Sequence, residues 1–412
     1  MSTEVYVYAD WVPLPKPTLV GTLRSSVIKN KEHFSFAYDE AWLRSPYAQK
    51  IDPQLQLYRG EQHSETSKNF RIFLDSCPDR WGRLLMKRRE AIVARQNKRP
   101  TRVLNEIDYL LGVHDLYRMG ALRFKRQRQG PFLGNDQRLA APPISSLKEL
   151  EYAAKMVEQN IETSDPDYLK WLSMLMSPGS SLGGARPKSS VVDHNNHLWI
   201  AKFPSRYDDY DIAVWEYIAY QLAVEAGIDM AECQLSKFNS HHHTFLTKRF
   251  DRTVSGRLHF SSAMTQLGYY DGDEHASYLE LAQFLTDHGS NTKSDLAQLW
   301  RRIIFNIAVS NTDDHLRNHG FIYHHGGWIL SPAYDINPVT PAQGLNLNIS
   351  DTDNRLDYDL AMEIKEFFQL SRSQAQKIKA EVLDAVSRWQ QLAAAAQISP
   401  QEQQQMAPAF NL

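Results

Sequence analysis

The chain has 412 residues, 42 % of them apolar and 23 % charged, with 19 glycines, 19 prolines and a formal net charge of -2. That length implies at least two lobes with separate cores, and the balance excludes collagen-like, low-complexity and wholly disordered chains, and also one that coats nucleic acid by itself. Two cysteines, Cys77 and Cys233, are too few for a disulfide framework or a cysteine-rich zinc module and fit a reducing cytoplasm. Met1 to Trp11 lacks a secretion signal's pattern, and no segment reaches the ~20 apolar residues that span a bilayer.

In chain order, the alternation at Val5-Tyr6-Val7-Tyr8, the turn Pro13 to Pro17, the run Leu19 to Leu23 and Phe34 to Tyr38 predict paired strands. From Arg80 to Arg102 nine basic residues face one acid, Glu90, which predicts a cationic helix, either solvated or turned to nucleic acid. Gly130 to Pro143 is rich in turn formers and marks a boundary. Ser146 and Glu149 then have capping-box spacing ahead of Leu150, Ala154 and Val157 on one helical face. After Asp251 the apolar spacing is mainly helical, as in Leu296, Leu299, Trp300, Ile303, Ile304 and Ile307, and the tail from Ala393 to Leu412 is expected to fray.

Three segments carry chemistry. Ser177 to Lys188 packs small residues around Gly179, Gly183 and Gly184 and ends in cations, so its amides could approach phosphate oxygens; taken alone it also reads as a surface loop. A hairpin follows, Ser189 to Val192 and Leu198 to Phe203 around Asp193-His194-Asn195-Asn196. It puts Lys202 on one face with Leu198 and Ile200, where its ammonium either snorkels or grips phosphates. Glu216, on a helix outlined by Ile212, Trp215, Ala219 and Leu222, is either a carboxylate that orients that lysine or a solvated charge.

The densest cluster is Asn311-Thr312-Asp313-Asp314-His315-Leu316-Arg317-Asn318, between an apolar helix and the strand-like Gly320 to Tyr323. Asp313 and Asn318 are separated by four residues, the spacing of the catalytic Asp and metal-binding Asn in the protein-kinase catalytic loop. A hairpin and then Asp335 follow, a set that suits Mg2+ held with substrate phosphates. His315 and His319, and the run His241-His242-His243, raise zinc, but the oxygen ligands and the lack of nearby cysteine favour magnesium, and the His241 run reads as a solvated turn. Asp314 reads as a structural cap.

These residues resemble the HipA family, the serine/threonine-kinase toxins of bacterial toxin-antitoxin operons. The loop Ser181 to Lys188, Ile200-Ala201-Lys202-Phe203-Pro204, Lys248-Arg249-Phe250-Asp251-Arg252, Asn311 to Asn318 and Tyr334-Asp335 carry the match. Phe34 to Tyr38, Pro78-Asp79-Arg80-Trp81-Gly82 and Arg118-Met119-Gly120-Ala121-Leu122 extend it upstream. The resemblance implies Ser181, Gly183, Gly184, Ala185, Lys188 and Lys202 at the ATP phosphates, and Lys248 and Phe250 at adenine through backbone groups. It implies Asp313 as catalytic base or hydroxyl-orienting group, His315 near the transferring phosphoryl group, and Asn318 with Asp335 on Mg2+. It also implies autophosphorylation at Ser181, with Ser180 as the rival, and Arg186-Pro187 departs from the family's loop pattern.

The expected architecture is an α/β amino-terminal half and a mostly α-helical carboxy-terminal lobe, protein-kinase-like, with ATP in the cleft. The expected divisions are an amino-terminal subdomain over 1–135, an ATP-binding α/β lobe over 136–250 and a helical catalytic lobe over 251–412. The expected function is that of a cytoplasmic toxin: an ATP- and Mg2+-dependent protein serine/threonine kinase that arrests growth by phosphorylating a translation component, such as an aminoacyl-tRNA synthetase. A helix-turn-helix (Xre-type) antitoxin would neutralise it and link it indirectly to operator DNA. A small-molecule kinase and a non-catalytic nucleotide-binding corepressor are the alternatives.

Overall fold

The alternating residues at the amino terminus do form strands. In the computed structural model, which describes residues 2–135, 141–159, 168, 171–172, 175, 184, 186–273 and 275–412, five strands make one antiparallel sheet in the order β4-β3-β2-β1-β5: β1 (Ser2–Ala9), β2 (Thr18–Ile28), β3 (Lys31–Tyr38), β4 (Glu61–His63) and β5 (Leu122–Lys125). Val5, Val7, Leu23, Phe36 and Phe124 are buried from it, and Trp42, Phe73 and Leu110 close the same core from short helices. Gly21 lets β2 run close to β3, since a Cβ there would meet Ala37 O at 2.3 Å.

This sheet belongs to the first of two units, residues 1–206 with 251–261. Buried charge ties the late segment in. The Gly120 amide donates to Asp251 Oδ2 at 2.8 Å, Arg252 donates to the Arg118 carbonyl at 2.7 Å, and the His259 ring stacks on Trp11 at 4.3 Å. Burial holds His259 neutral, its pKa pushed down to about 3. Asp115 pairs with both Arg123 and Arg257. Burial would raise its carboxyl, but the Arg123 hydrogen bond and the charges of Arg257 and Arg123 outweigh that and hold it below the usual 3.8.

The cationic helix runs over Arg80–Gln96; its Arg83 is matched by Glu106 at 2.6 Å, and its one acid, Glu90, pairs with Arg99 just beyond the helix end at 2.6 Å. The predicted capping box at Ser146 is not made. A 3-10 turn, Ile144–Ser146, runs straight into the helix Leu147–Glu158, so the Ser146 side chain caps nothing, while Leu150, Ala154 and Val157 are buried as their spacing predicts.

The second unit comprises 207–250 and 262–412. Its core is shared by the helices Ile212–Glu225, Tyr278–His288, Thr292–Ala308 and Arg372–Val386, with Leu296, Leu299, Trp300, Ile303, Ile304 and Ile307 fully buried. Two histidines of the 241–243 run are tied down rather than solvated: His242 Nδ1 lies 2.8 Å from Tyr210 O, and His243 Nδ1 lies 2.6 Å from Asp211, the residue that caps Ile212–Glu225. The tail does not fray. Pro400–Met406 is helical and Phe410 stacks on Trp389 at 4.2 Å, because aromatic burial outweighs the low complexity of the sequence around it. Among the described residues no helix is long and apolar enough to cross a membrane.

Asp115→Ala should cost about 3–5 kcal/mol in urea unfolding near pH 7, since it leaves the buried Arg257 and the half-buried Arg123 short of a partner. A depressed folded pKa contributes stability that is present above the unfolded value and lost as pH falls through the folded one. The gap between wild type and variant should therefore narrow below about pH 4. A gap that widened on acidification would contradict the assignment.

Candidate functional site

The hairpin after the glycine loop forms as predicted, Lys188–Val192 against Leu198–Lys202, and its register sets Lys188 directly opposite Lys202. Like charges opposed across a ladder repel. Asp79 offsets one of them: its Oδ2 lies 3.0 Å from Lys188 Nζ in a buried pair, while its Oδ1 accepts from Gly82 N at 2.8 Å and caps the helix Arg80–Gln96. Trp81 Nε1 donates to the Lys188 carbonyl at 3.0 Å. Gly184 has φ +94°, and a Cβ there would sit 3.0 Å from Lys188 Nζ, so the loop's last described glycine stands over that ammonium. Ser180, Ser181, Gly183 and Ala185 lie outside the described residues. Lys202, half-buried, and Lys188 thus meet in the first unit. The sequence assigned no role to Asp79 or Trp81, whose segment entered only as part of the family resemblance and the start of a basic helix.

In the second unit Lys248 donates through its amide to the Glu232 carbonyl at 2.7 Å and pairs with that side chain at 3.0 Å, and the Phe250 ring lies 5.5 Å from Tyr334. Glu216 is buried on its helix, so the solvated-charge reading fails.

The loop from Asn311 to Asn318 separates its two aspartates by environment. Asp313 is exposed and Asp314 is buried. Three side chains from three elements converge on Asp314 Oδ2: the Tyr278 hydroxyl, Asn306 Nδ2 at 2.8 Å and His319 Nε2 at 2.8 Å. Burial pushes the Asp314 carboxyl up, but the charge and hydrogen bond of His319 and the Tyr278 hydrogen bond outweigh it and hold the group ionised. Burial, then the Asp314 charge, raises the Tyr278 hydroxyl well above its ordinary range.

That anchoring leaves Asn318 with its Nδ2 donating to Asp313 O at 3.1 Å and its Oδ1 buried without a hydrogen-bond partner. His315 is half-buried, and its Nδ1 is likewise a buried atom with no partner. Asp335 follows the strand Gly327–Leu330 in a left-handed conformation, φ +60°, that non-glycine residues adopt at a cost of roughly 1–3 kcal/mol. Before it, the Tyr334 hydroxyl donates to Arg317 O at 2.7 Å. An orphaned amide oxygen and a carboxylate are hard ligands of the kind Mg2+ takes together with phosphate oxygens. Among the described residues no three His, Cys, Asp or Glu side chains form a cage that could hold a metal unaided, and His319 is engaged by Asp314. Sequence spacing carried no sign of Tyr278 or Asn306.

Lys202, Asp313, His315, Asn318 and Asp335 all fall within residues 180–390, which match the HipA-like C-terminal domain family. That match covers more than half of the chain, and the chain belongs to this family. A curated Haemophilus influenzae protein named "Putative kinase" is 28 % identical over 186 residues, 40 % of this chain and 54 % of that protein. "Putative kinase Y4dM" of Sinorhizobium fredii is 28 % identical over 157 residues, 35 % of this chain and 38 % of that protein. The chain therefore spans about half the length of the first curated relative and less of the second. In fold it is similar to a chain of the Shewanella oneidensis MR-1 complex of the toxin-antitoxin proteins HipA and HipB with operator DNA. The TM-score is 0.65 at 17 % identity, over 95 % of this chain and 92 % of that one.

Tyr278→Phe removes one donor from an ionised, buried acceptor and should cost about 1.5–3 kcal/mol. Urea unfolding measures it, and an unchanged midpoint would mean that Asp314 is held without the hydroxyl.

Proposed function

We propose that the chain is an ATP-dependent serine/threonine protein kinase of the HipA type. The observation that carries this reading is the pairing, on one braced loop, of an exposed Asp313 with a buried Asn318 whose amide oxygen has no partner. In the proposal Asp313 takes the proton from a substrate hydroxyl, whose oxygen forms the new P–O bond as the bond from the γ-phosphorus to ADP breaks. Asn318 and Asp335 hold Mg2+, which would supply charge neutralisation at the phosphate oxygens. Lys202 binds those phosphates, His315 lies by the transferring group, and Lys248 and Phe250 contribute backbone contacts to adenine. Lys188 and the glycines of its loop complete the phosphate site. Phosphoryl transfer demands positioning and charge more than covalent help, so this small set suffices. The kinase-like, two-lobed arrangement with ATP in a cleft is part of the same proposal.

Membership of the family, the kinase names of the two relatives and the Shewanella complex support a further step. The chain would be a cytoplasmic toxin that phosphorylates a translation component, such as an aminoacyl-tRNA synthetase, and that a helix-turn-helix (Xre-type) antitoxin restrains and brings to operator DNA. Ser181, or Ser180 beside it, would accept phosphate from the enzyme itself. A phosphate there adds roughly -1.5 to -2 charges next to amides that should face ATP, and so would switch the enzyme off.

Lys202→Ala should weaken Mg-ATP binding in calorimetry while the chain stays folded. Asp313→Asn should keep that binding yet lower transfer by at least about a hundredfold, and its expression should no longer arrest growth. Full transfer by Asp313→Asn would sink the mechanism, and radiolabel passing to a metabolite instead of a protein would favour a small-molecule kinase. Mass spectrometry after incubation with Mg-ATP should find phosphate at Ser181 in the wild type and none in Asp313→Asn. Phosphate on the variant alone would contradict self-inactivation while leaving the kinase reading in place.

A further inference from the structure

The helix Thr292–Ala308 is apolar on most of its buried surface, yet Asp295, Arg302 and Asn306 are buried too. Their spacing of seven and four residues puts them in one longitudinal stripe. Every member of that stripe holds a segment of the candidate metal site. Asp295 Oδ2 accepts from Leu330 N at 3.0 Å and Arg302 donates to Ser331 O at 2.6 Å, which fastens the strand end that leads to Asp335. Asn306 reaches the other segment, through Asp314.

Asn306 also starts a directional chain. A carboxylate only accepts, so Asn306 must present Nδ2 to Asp314, and its second Nδ2 proton goes to the Tyr278 oxygen at 3.1 Å. Its Oδ1 is then turned to Asn311 Nδ2 at 3.1 Å, which in turn leaves Asn311 Oδ1 to accept from the backbone N–H of Asn337 at 3.3 Å. Asn337 Nδ2 lies 3.4 Å from Asp335 Oδ1. The carboxylate at one end and the amide N–H at the other fix the sense of both asparagines. Neither tolerates reversal, and both are only 1 % exposed, so water cannot substitute for a lost partner.

We propose that Asn306 and Asn311 are positioning residues, an amide relay that holds Asp335 in register with the Asp313–Asn318 loop so that the two metal-binding groups act together. The proposal rests on the reading of Asn318 and Asp335 as metal ligands. Groups that orient ligands without touching the metal typically govern its affinity by about 10–100-fold.

The probe is Mn2+ titrated by electron paramagnetic resonance into the full-length protein with ADP present. Asn306→Leu, which keeps the branched shape and removes all three side-chain hydrogen bonds, should weaken Mn2+ binding by about tenfold or more. Asn311→Ala should do the same and serves if the leucine variant fails to fold. Binding of ADP in the presence of EDTA should stay at the wild-type level in both. Unchanged Mn2+ affinity in the folded variants would overturn the relay, and so would an equal loss of metal-free ADP binding, which would signal general loosening. The parent reading is checked separately. If the wild type binds no Mn2+ with ADP, or Asp335→Asn binds it as tightly as the wild type, the metal assignment falls and the relay falls with it. If Asp335→Asn loses Mn2+ while Asn306→Leu retains it, only the relay falls.

Discussion

A carboxylate taken out of water stays ionised only if donors replace the water, and the second unit meets that demand at Asp314 with three of them from separate elements. The consequence reaches beyond the one side chain. Tyr278 opens the helix Tyr278–His288, Asn306 sits in the last turn of Thr292–Ala308, and His319 precedes the strand Gly320–His324. Because one oxygen binds all three, the loop that joins the helix to the strand cannot slide against either. Leaving such a group uncompensated costs several kcal/mol, which is comparable with the net stability of a domain. The adjacent Asp313, exposed on that fixed loop, takes its place from the loop's anchoring.

Much of this was legible in the sequence and some was not, for identifiable reasons. Three of the sheet's five strands, the hairpin that ends at Lys202 and the apolar helix from Leu296 to Ile307 follow from periodicity, because side-chain alternation and helical spacing are local properties, whereas the short strands Glu61–His63 and Leu122–Lys125 carry too little pattern to be read. The spacing of Asp313 and Asn318 is local as well. The partners of Asp314 are not. Tyr278 lies 36 residues away, and nothing in its own surroundings distinguishes a tyrosine that meets a buried carboxylate from one that fills a core. The tail was misread for a related reason: its Ala and Gln content argues for fraying, while the burial of Phe410 against Trp389 and Trp215 comes from residues distant in sequence.

Two segments that looked unrelated in the sequence turn out to be halves of one contact. Arg118-Met119-Gly120-Ala121-Leu122 and the Asp251-Arg252 pair resembled the same family separately, and in the first unit they are hydrogen-bonded to each other. Gly120 N donates to Asp251, and Arg252 returns bonds to the carbonyls of Gly120 and Arg118. Gly120 takes φ +70°, and a Cβ there would come within 3.2 Å of Phe260 O. A side chain at that position would strain the backbone and press on the returning segment, so glycine is what lets residues 251–261 lie against a sheet built more than a hundred residues earlier.

The same logic gives Pro78-Asp79-Arg80-Trp81-Gly82 a physical meaning that charge counting obscured. An N-cap aspartate ordinarily uses one oxygen on its own helix. Asp79 uses Oδ1 that way and turns Oδ2 to Lys188, while Trp81 two residues later binds the Lys188 carbonyl, so a single segment grips both the ammonium and the backbone of that residue. Lys188 opens the strand that pairs with Lys202, and its ammonium lies beneath Gly184. Without Asp79, the buried Lys188 ammonium, set opposite a second lysine, would lose a carboxylate 3.0 Å away, a change that disfavours the hairpin. With Asp79 present, Lys188 is held in position within the fold itself, so that in the proposed function the cation would be placed ahead of the anion rather than by it.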